Sequence, residues 1–97
     1  MFVAVCRLEL DIPTASSLKD KRSVLQSVMA RVRNQFHIAV AEVETQEQWS
    51  SAVLGLCTVS NNATHARQVL EEVIRFIERL RLDADVGAVE FDVLQAL

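Results

Sequence analysis

Polar and apolar residues alternate with period two near the start of the chain. Leu8, Leu10 and Ile12 fall on one side and Arg7, Glu9 and Asp11 on the other, which predicts a half-buried strand over 2–12. Carried back, the phase puts Phe2, Ala4 and Cys6 with the core set and Met1, Val3 and Val5 on the opposite face. The first half of this strand is therefore apolar on both sides. Pro13 has no amide to give a sheet ladder and closes it. From Ser17 to Phe36 the period becomes helical: Leu18, Leu25, Val28, Met29, Val32 and Phe36 make one stripe. Ser17 can cap this helix by accepting the amide of Asp20.

After a turn at Phe36, His37–Thr45 is rich in β-branched residues and reads as a second strand. Its phase is open, because Val43 has the opposite parity to Ile38 and Val40; a bulge near Glu42 would reconcile them. Gln46–Ser50 is a polar loop around Trp49, and Ser51–Ser60 is a third strand. If its leucines face the helices, Cys57 faces away while Cys6 faces in. Asn61 or Asn62 caps a second helix running to about Leu82, with Ala66, Val69, Leu70, Val73, Ile74, Ile77 and Leu80 on its apolar side. Arg67, Glu71 and Arg75 lace its solvent side at i, i+4 spacing. Asp83–Asp85 is a turn, and Val86–Leu94 alternates as a last strand.

The order β-α-β-β-α-β, with right-handed crossovers, predicts an α+β ferredoxin-like sandwich over 1–97 as a single domain. Both helices lie on one face of a four-stranded antiparallel sheet, with strands one and three central. The other face carries Val3, Val5, Val53, Cys57 and Val59, too apolar for a free surface, and predicts a partner. A homodimer or other homo-oligomer is the expected form.

Composition narrows the class further. Ninety-seven residues with 51% hydrophobic and 24% charged side chains describe an ordinary globular chain. No apolar run approaches the ~20 residues of a bilayer span, and the first residues do not read as a signal peptide. A cytoplasmic protein is expected, with two free thiols at Cys6 and Cys57. The net charge of −3 is unevenly spread. Residues 1–41 hold six basic and three acidic groups, giving +3; residues 42–97 hold four and ten, giving −6.

Half of the ten basic residues lie on the first helix. Lys19, Lys21 and Arg22 sit at its start, where the helix dipole opposes cations by about 0.3–1 kcal/mol each. Such residues serve an anion better than they serve the helix, although a charge run is more often a solvated face. Lys19, Arg22, Gln26 and Arg33 share the outer face, and Lys21 lies near the edge of the apolar stripe. Trp49 either covers an end of the core or forms an exposed contact. Enzyme patterns are missing: no GxSxG, HExxH or phosphate loop occurs, and His37 and His65 read as surface or capping residues. Glu42 and Glu44 share a strand face and read as solvated. No metal, organic cofactor or small-molecule substrate is expected. Strand three has no aromatic on which bases could stack, so a base-reading RNA module is excluded.

The segments MFVAVCRLELDIP, SLKDKRSVLQSV, VRNQFHIAVAEVETQEQW and LGLCTVS together resemble the YlxP-like bacterial proteins, a family of unknown function, over residues 1 to about 94. The resemblance implies the ferredoxin-like fold and a signature at Ser17–Arg22, Glu42 and Trp49. It also implies gene neighbours among translation initiation and ribosome-maturation factors, but no catalytic residue. The resulting expectation is a non-catalytic accessory factor. It would contact RNA or a ribosomal assembly through phosphate contacts from Lys19, Lys21 and Arg22, extended by Arg31 and Arg33. About three phosphate contacts imply a salt slope of about −2 to −3. The alternative is a homo-oligomeric protein-interaction module with no nucleic-acid role, with Trp49, Val3, Val5, Val53 and Val59 as its contacts.

Overall fold

A computed structural model of the chain describes residues 1–44, 47–80 and 83–97. The elements are β1 (Phe2–Asp11), α1 (Leu18–Gln35), β2 (Ala39–Glu44), β3 (Ser51–Ser60), α2 (Ala63–Arg79) and β4 (Asp85–Gln95). They follow the expected order. The Thr45 end of the second strand and the Leu82 end of the second helix fall outside the described residues. The sheet is antiparallel throughout, ordered β2-β3-β1-β4, with the first and third strands central as the β-α-β-β-α-β order implied.

The period-two residues of β1 decide which way the sheet faces. Ala4, Cys6, Leu8, Leu10 and, just beyond the strand, Ile12 are buried. They meet Leu54 and Leu56 of β3 and Leu25, Val28, Val32, Leu70, Val73 and Ile77 of the helices in one core. Fully burying each leucine, isoleucine or valine among them contributes about 1.5–3 kcal/mol. Ile12 extends the β1–β3 pairing by one step, its amide donating to the Ser50 carbonyl at 2.7 Å. The rings of Phe36 and Phe76 meet edge to face at 5.4 Å and join the two helices. On α2, Asn62 is the N-cap, accepting from the His65 amide. Arg67 pairs with Glu71 and stacks over Phe91 at 4.7 Å, while Arg75 pairs with Glu72 instead of Glu71.

Two side chains of the predicted core lie elsewhere. Leu18 is exposed at the first position of α1, and Lys21 is buried in its place. Lys21, Leu25, Val28 and Val32 stand at i, i+4, i+7 and i+11, so the lysine lies on the apolar stripe itself and not at its edge. In β2 the register breaks between Glu42 and Glu44. That is the expected bulge, but it does not turn Val43 inward. Val43 is the extra residue and packs outward over Gly55, so close that a Cβ there would sit 2.5 Å from Val43 Cγ1. The glycine makes room for the bulged valine.

Candidate functional site

The start of α1 is built largely for itself. Ser17 Oγ accepts the Asp20 amide at 3.1 Å, and the Asp20 carboxylate reaches back to the amide and hydroxyl of Ser16 at 3.0 and 2.8 Å. This satisfies orphan donors and sets a negative group where the helix dipole favours one. The Ser16 hydroxyl and amide, the Ser17 hydroxyl and the neighbouring Lys19 charge hold the Asp20 carboxyl below its usual range.

Lys21 is 3% exposed. Its ammonium donates to the Gln48 carbonyl at 3.3 Å and lies 3.6 Å from Glu42 Oε2. It joins α1 to the edge strand and to the loop before β3, and is not presented to an outside phosphate. Arg33 is similarly engaged, donating to the Val40 carbonyl of β2 at 2.8 Å. Arg31 follows Arg22 by nine residues, a rotation of about 180° around the helix. The five cations therefore do not make one basic strip. Among the described residues, Lys19, Arg22 and Arg31 are exposed and make no hydrogen bond or ion pair.

The open sheet face is divided along the strands. At one end, rows of cross-strand neighbours read Val59–Val3–Leu94 and Ala39–Cys57–Val5–Asp92. Val59 is 61% exposed and Leu94 50%; Val3, Val5 and Cys57 are half-buried. Toward the other end the row Ala41–Gly55–Arg7–Glu90 begins a charged zone. Arg7 grips Glu44 with a two-pronged contact at 2.8 and 2.9 Å and also bonds Glu9 at 3.0 Å. Glu90 stands 3.7 Å away. The Glu44 and Glu9 hydrogen bonds raise the Arg7 pKa, and Arg7 lowers that of Glu44. Glu42 and Glu44 do not share a face: the bulge sends Glu42 to Lys21 and Glu44 to Arg7.

Val53 stands between Glu9 and Glu44 in the register and is only 1% exposed, so it offers no surface to a partner. Sequence reasoning missed Arg7, because its partners come from three different strand positions. The one signal was a basic residue in a central strand, two positions before Glu9 on the same face. Two shallow grooves open on or beside this face. One, of about 380 Å³, lies over Gly55 between Val5, Ala41 and Val43. The other, of about 470 Å³, lies at the start of β2, lined by Arg33, Phe36, His37, Ala39, Cys57 and Val59.

Trp49 is 50% exposed. It therefore does not close the core. Its neighbours in the chain are held: Gln48 by Lys21 and the Ser51 hydroxyl, Ser50 by Ile12. Cys6 and Cys57 are free thiols on opposite sides of the sheet, and burial pushes the Cys6 thiol up to about 11. His37 and His65 are exposed. No helix of the described residues is long and apolar enough to cross a membrane.

Residues 3–91 match the family model described as protein of unknown function (DUF503). The chain is 32% identical over 76 residues to the uncharacterized protein YlxP of Bacillus subtilis (strain 168), covering 78% of this chain and 83% of that one. Among solved structures, a de novo designed protein with ferredoxin fold is similar at a TM-score of 0.52 and 15% identity, over 100% of this chain and 88% of that one. SnoaB, a cofactor-independent oxygenase from Streptomyces nogalater, is similar at a TM-score of 0.49 and 15% identity, over 98% and 92%. At this distance it says nothing of the chemistry here.

Proposed function

Because the chain belongs to the DUF503 family of proteins of unknown function, we propose its role from geometry alone: a non-enzymatic interaction module that engages a protein partner through its open sheet face. The observation that carries this reading is the apolar end of that face, where Val59 and Leu94 stand in water beside Val3 and Val5. Apolar residues gathered on one such surface mark a contact more often than a free surface. The ties made by Lys21 and Arg33 support it too, because they commit two of the five cations that an RNA contact would use.

The RNA reading keeps one specific observation in its favour. Lys19 and Arg22 are exposed near the start of α1 and make no hydrogen bond or ion pair among the described residues. Two phosphate contacts would give a salt slope of only about −2. A photo-reactive amino acid placed in cells at Val59 or Leu94, and separately at Arg22, tests the two readings together. Discrete protein adducts from 59 and 94, with none from 22, are the expected result. Ribosomal RNA attached through 22, with no adduct from the sheet face, would replace the first reading by the second.

A further inference from the structure

The apolar end of the sheet face has a shape and charge that fit its own copy. We propose that a second copy of this chain covers it, face to face, with the two-fold axis running parallel to the strands between β1 and β3. This rests on the reading of the face as a contact surface and names its occupant.

Both edges of the sheet resist strand addition. On β2, Arg33 occupies the Val40 carbonyl and the bulge at Val43 interrupts the ladder. On β4, Asp92 Oδ1 accepts the Val93 amide at 2.8 Å, and the register breaks opposite Glu9. Bulges and edge charges discourage edge-to-edge pairing, so the face is the surface left for a second copy.

The face is self-complementary under that axis. The strand order β2-β3-β1-β4 means that the rotation lays β4 of one copy over β2 of the other and keeps each row on itself. Leu94, exposed on β4, then comes over the groove at the start of β2, whose walls include Phe36, His37 and Val59. Asp92, one row along on the same face, arrives beside Arg33 and His37 of that groove. The same pair of contacts forms twice, apolar knob in groove and carboxylate beside cation. Val3 meets Val59, and Val5 meets Cys57. The carboxylates around Arg7 fall at the rim, where they stay in water.

Size sets the strength. Four strands about 4.8 Å apart and two rows of side chains give a footprint of roughly 260 Å² a side. That is below the ~600 Å² a side of the smallest standard interfaces. The contact is therefore of the size found in weak, transient pairs.

Sedimentation equilibrium of the whole chain between about 10 µM and about 1 mM tests this. The mass should rise toward that of two chains. Leu94→Glu or Val59→Glu should weaken pairing at least about tenfold, while Leu18→Glu, exposed but off this face, should not. Asp92→Lys should weaken it, and adding His37→Glu should restore it, a rescue that a purely structural role for Asp92 would not give. Should a glutamate variant fail to fold, the milder Leu94→Ala and the concentration dependence of the wild-type Val59 and Leu94 amide resonances decide. A chain still monomeric at the top of the range overturns the second copy as occupant and leaves the face reading to the crosslinking experiment. A pair indifferent to both glutamates lies elsewhere on the molecule and likewise overturns the second copy as occupant of this face, leaving the face reading to the crosslinking experiment.

Discussion

Lys21 Nζ lies 3.6 Å from Glu42 Oε2, so a residue written into a basic run is in fact an internal tie between the first helix and an edge strand. The chain should lose stability when either side of that tie is cut. Lys21→Ala leaves Glu42 without its cation and opens space beside Leu25. Breaking a fully buried pair costs about 3–5 kcal/mol; with Glu42 one-third exposed, about 1–3 kcal/mol is expected. Lys19→Ala and Arg22→Ala should stay within about 0.5 kcal/mol of the parent. Urea denaturation of the three variants is the check, and equal effects for all three would contradict the assignment.

Acid should weaken the start of α1 and the Arg7 cluster only below the ordinary carboxyl range. Asp20 and Glu44 are both held below their ordinary values of 3.8 and 4.5, by Ser16 and by Arg7 respectively. Lowered carboxyls contribute stability that is present above the unfolded value and lost as pH falls through the folded one. Melting temperature should therefore be flat above the ordinary values and decline below them. Asp20→Asn and Glu44→Gln should each flatten part of that decline. An unchanged acid limb in both would show that these contacts do not form in solution.

Gly55 and Val43 should behave as a coupled pair. A methyl group at 55 collides with Val43 Cγ1, so Gly55→Ala is expected to cost about 1–3 kcal/mol as an overpacked site. Val43→Ala in the same chain should recover most of the loss. A double-mutant cycle measures the coupling, and simple additivity would mean the bulge lies elsewhere.

How far these features were legible from the residues differs by kind. The six elements and their order follow from periodicity that local residues impose: alternation in β1 and β3, the serine and asparagine caps, the closing proline. The sheet face of β1 and β3 follows as well, because one central strand with Leu8, Leu10 and Ile12 leaves a single inward phase. The burial of Lys21 was also within reach, since 21, 25, 28 and 32 trace a better stripe than one starting at Leu18. It was obscured because a lysine beside Lys19 and Arg22 reads as charge and not as core. The Arg7 cluster was not legible. Glu44 and Glu90 reach Arg7 only through strand pairing, and Glu44 only because a bulge turns it to that side.

The labelling rate of Cys57 is the most direct measure of whether the open face meets another copy. Cys57 lines both grooves beside that face, while Cys6 lies buried on the other side and serves as an internal control for unfolding. With a maleimide at one fixed concentration, in excess of the protein throughout, and the modified mass read by spectrometry, the fraction of Cys57 modified per unit time should fall as the protein is concentrated from about 10 µM to about 1 mM. Cys6 should stay unmodified throughout. A Cys57 rate that is constant over that whole range would contradict a covered face.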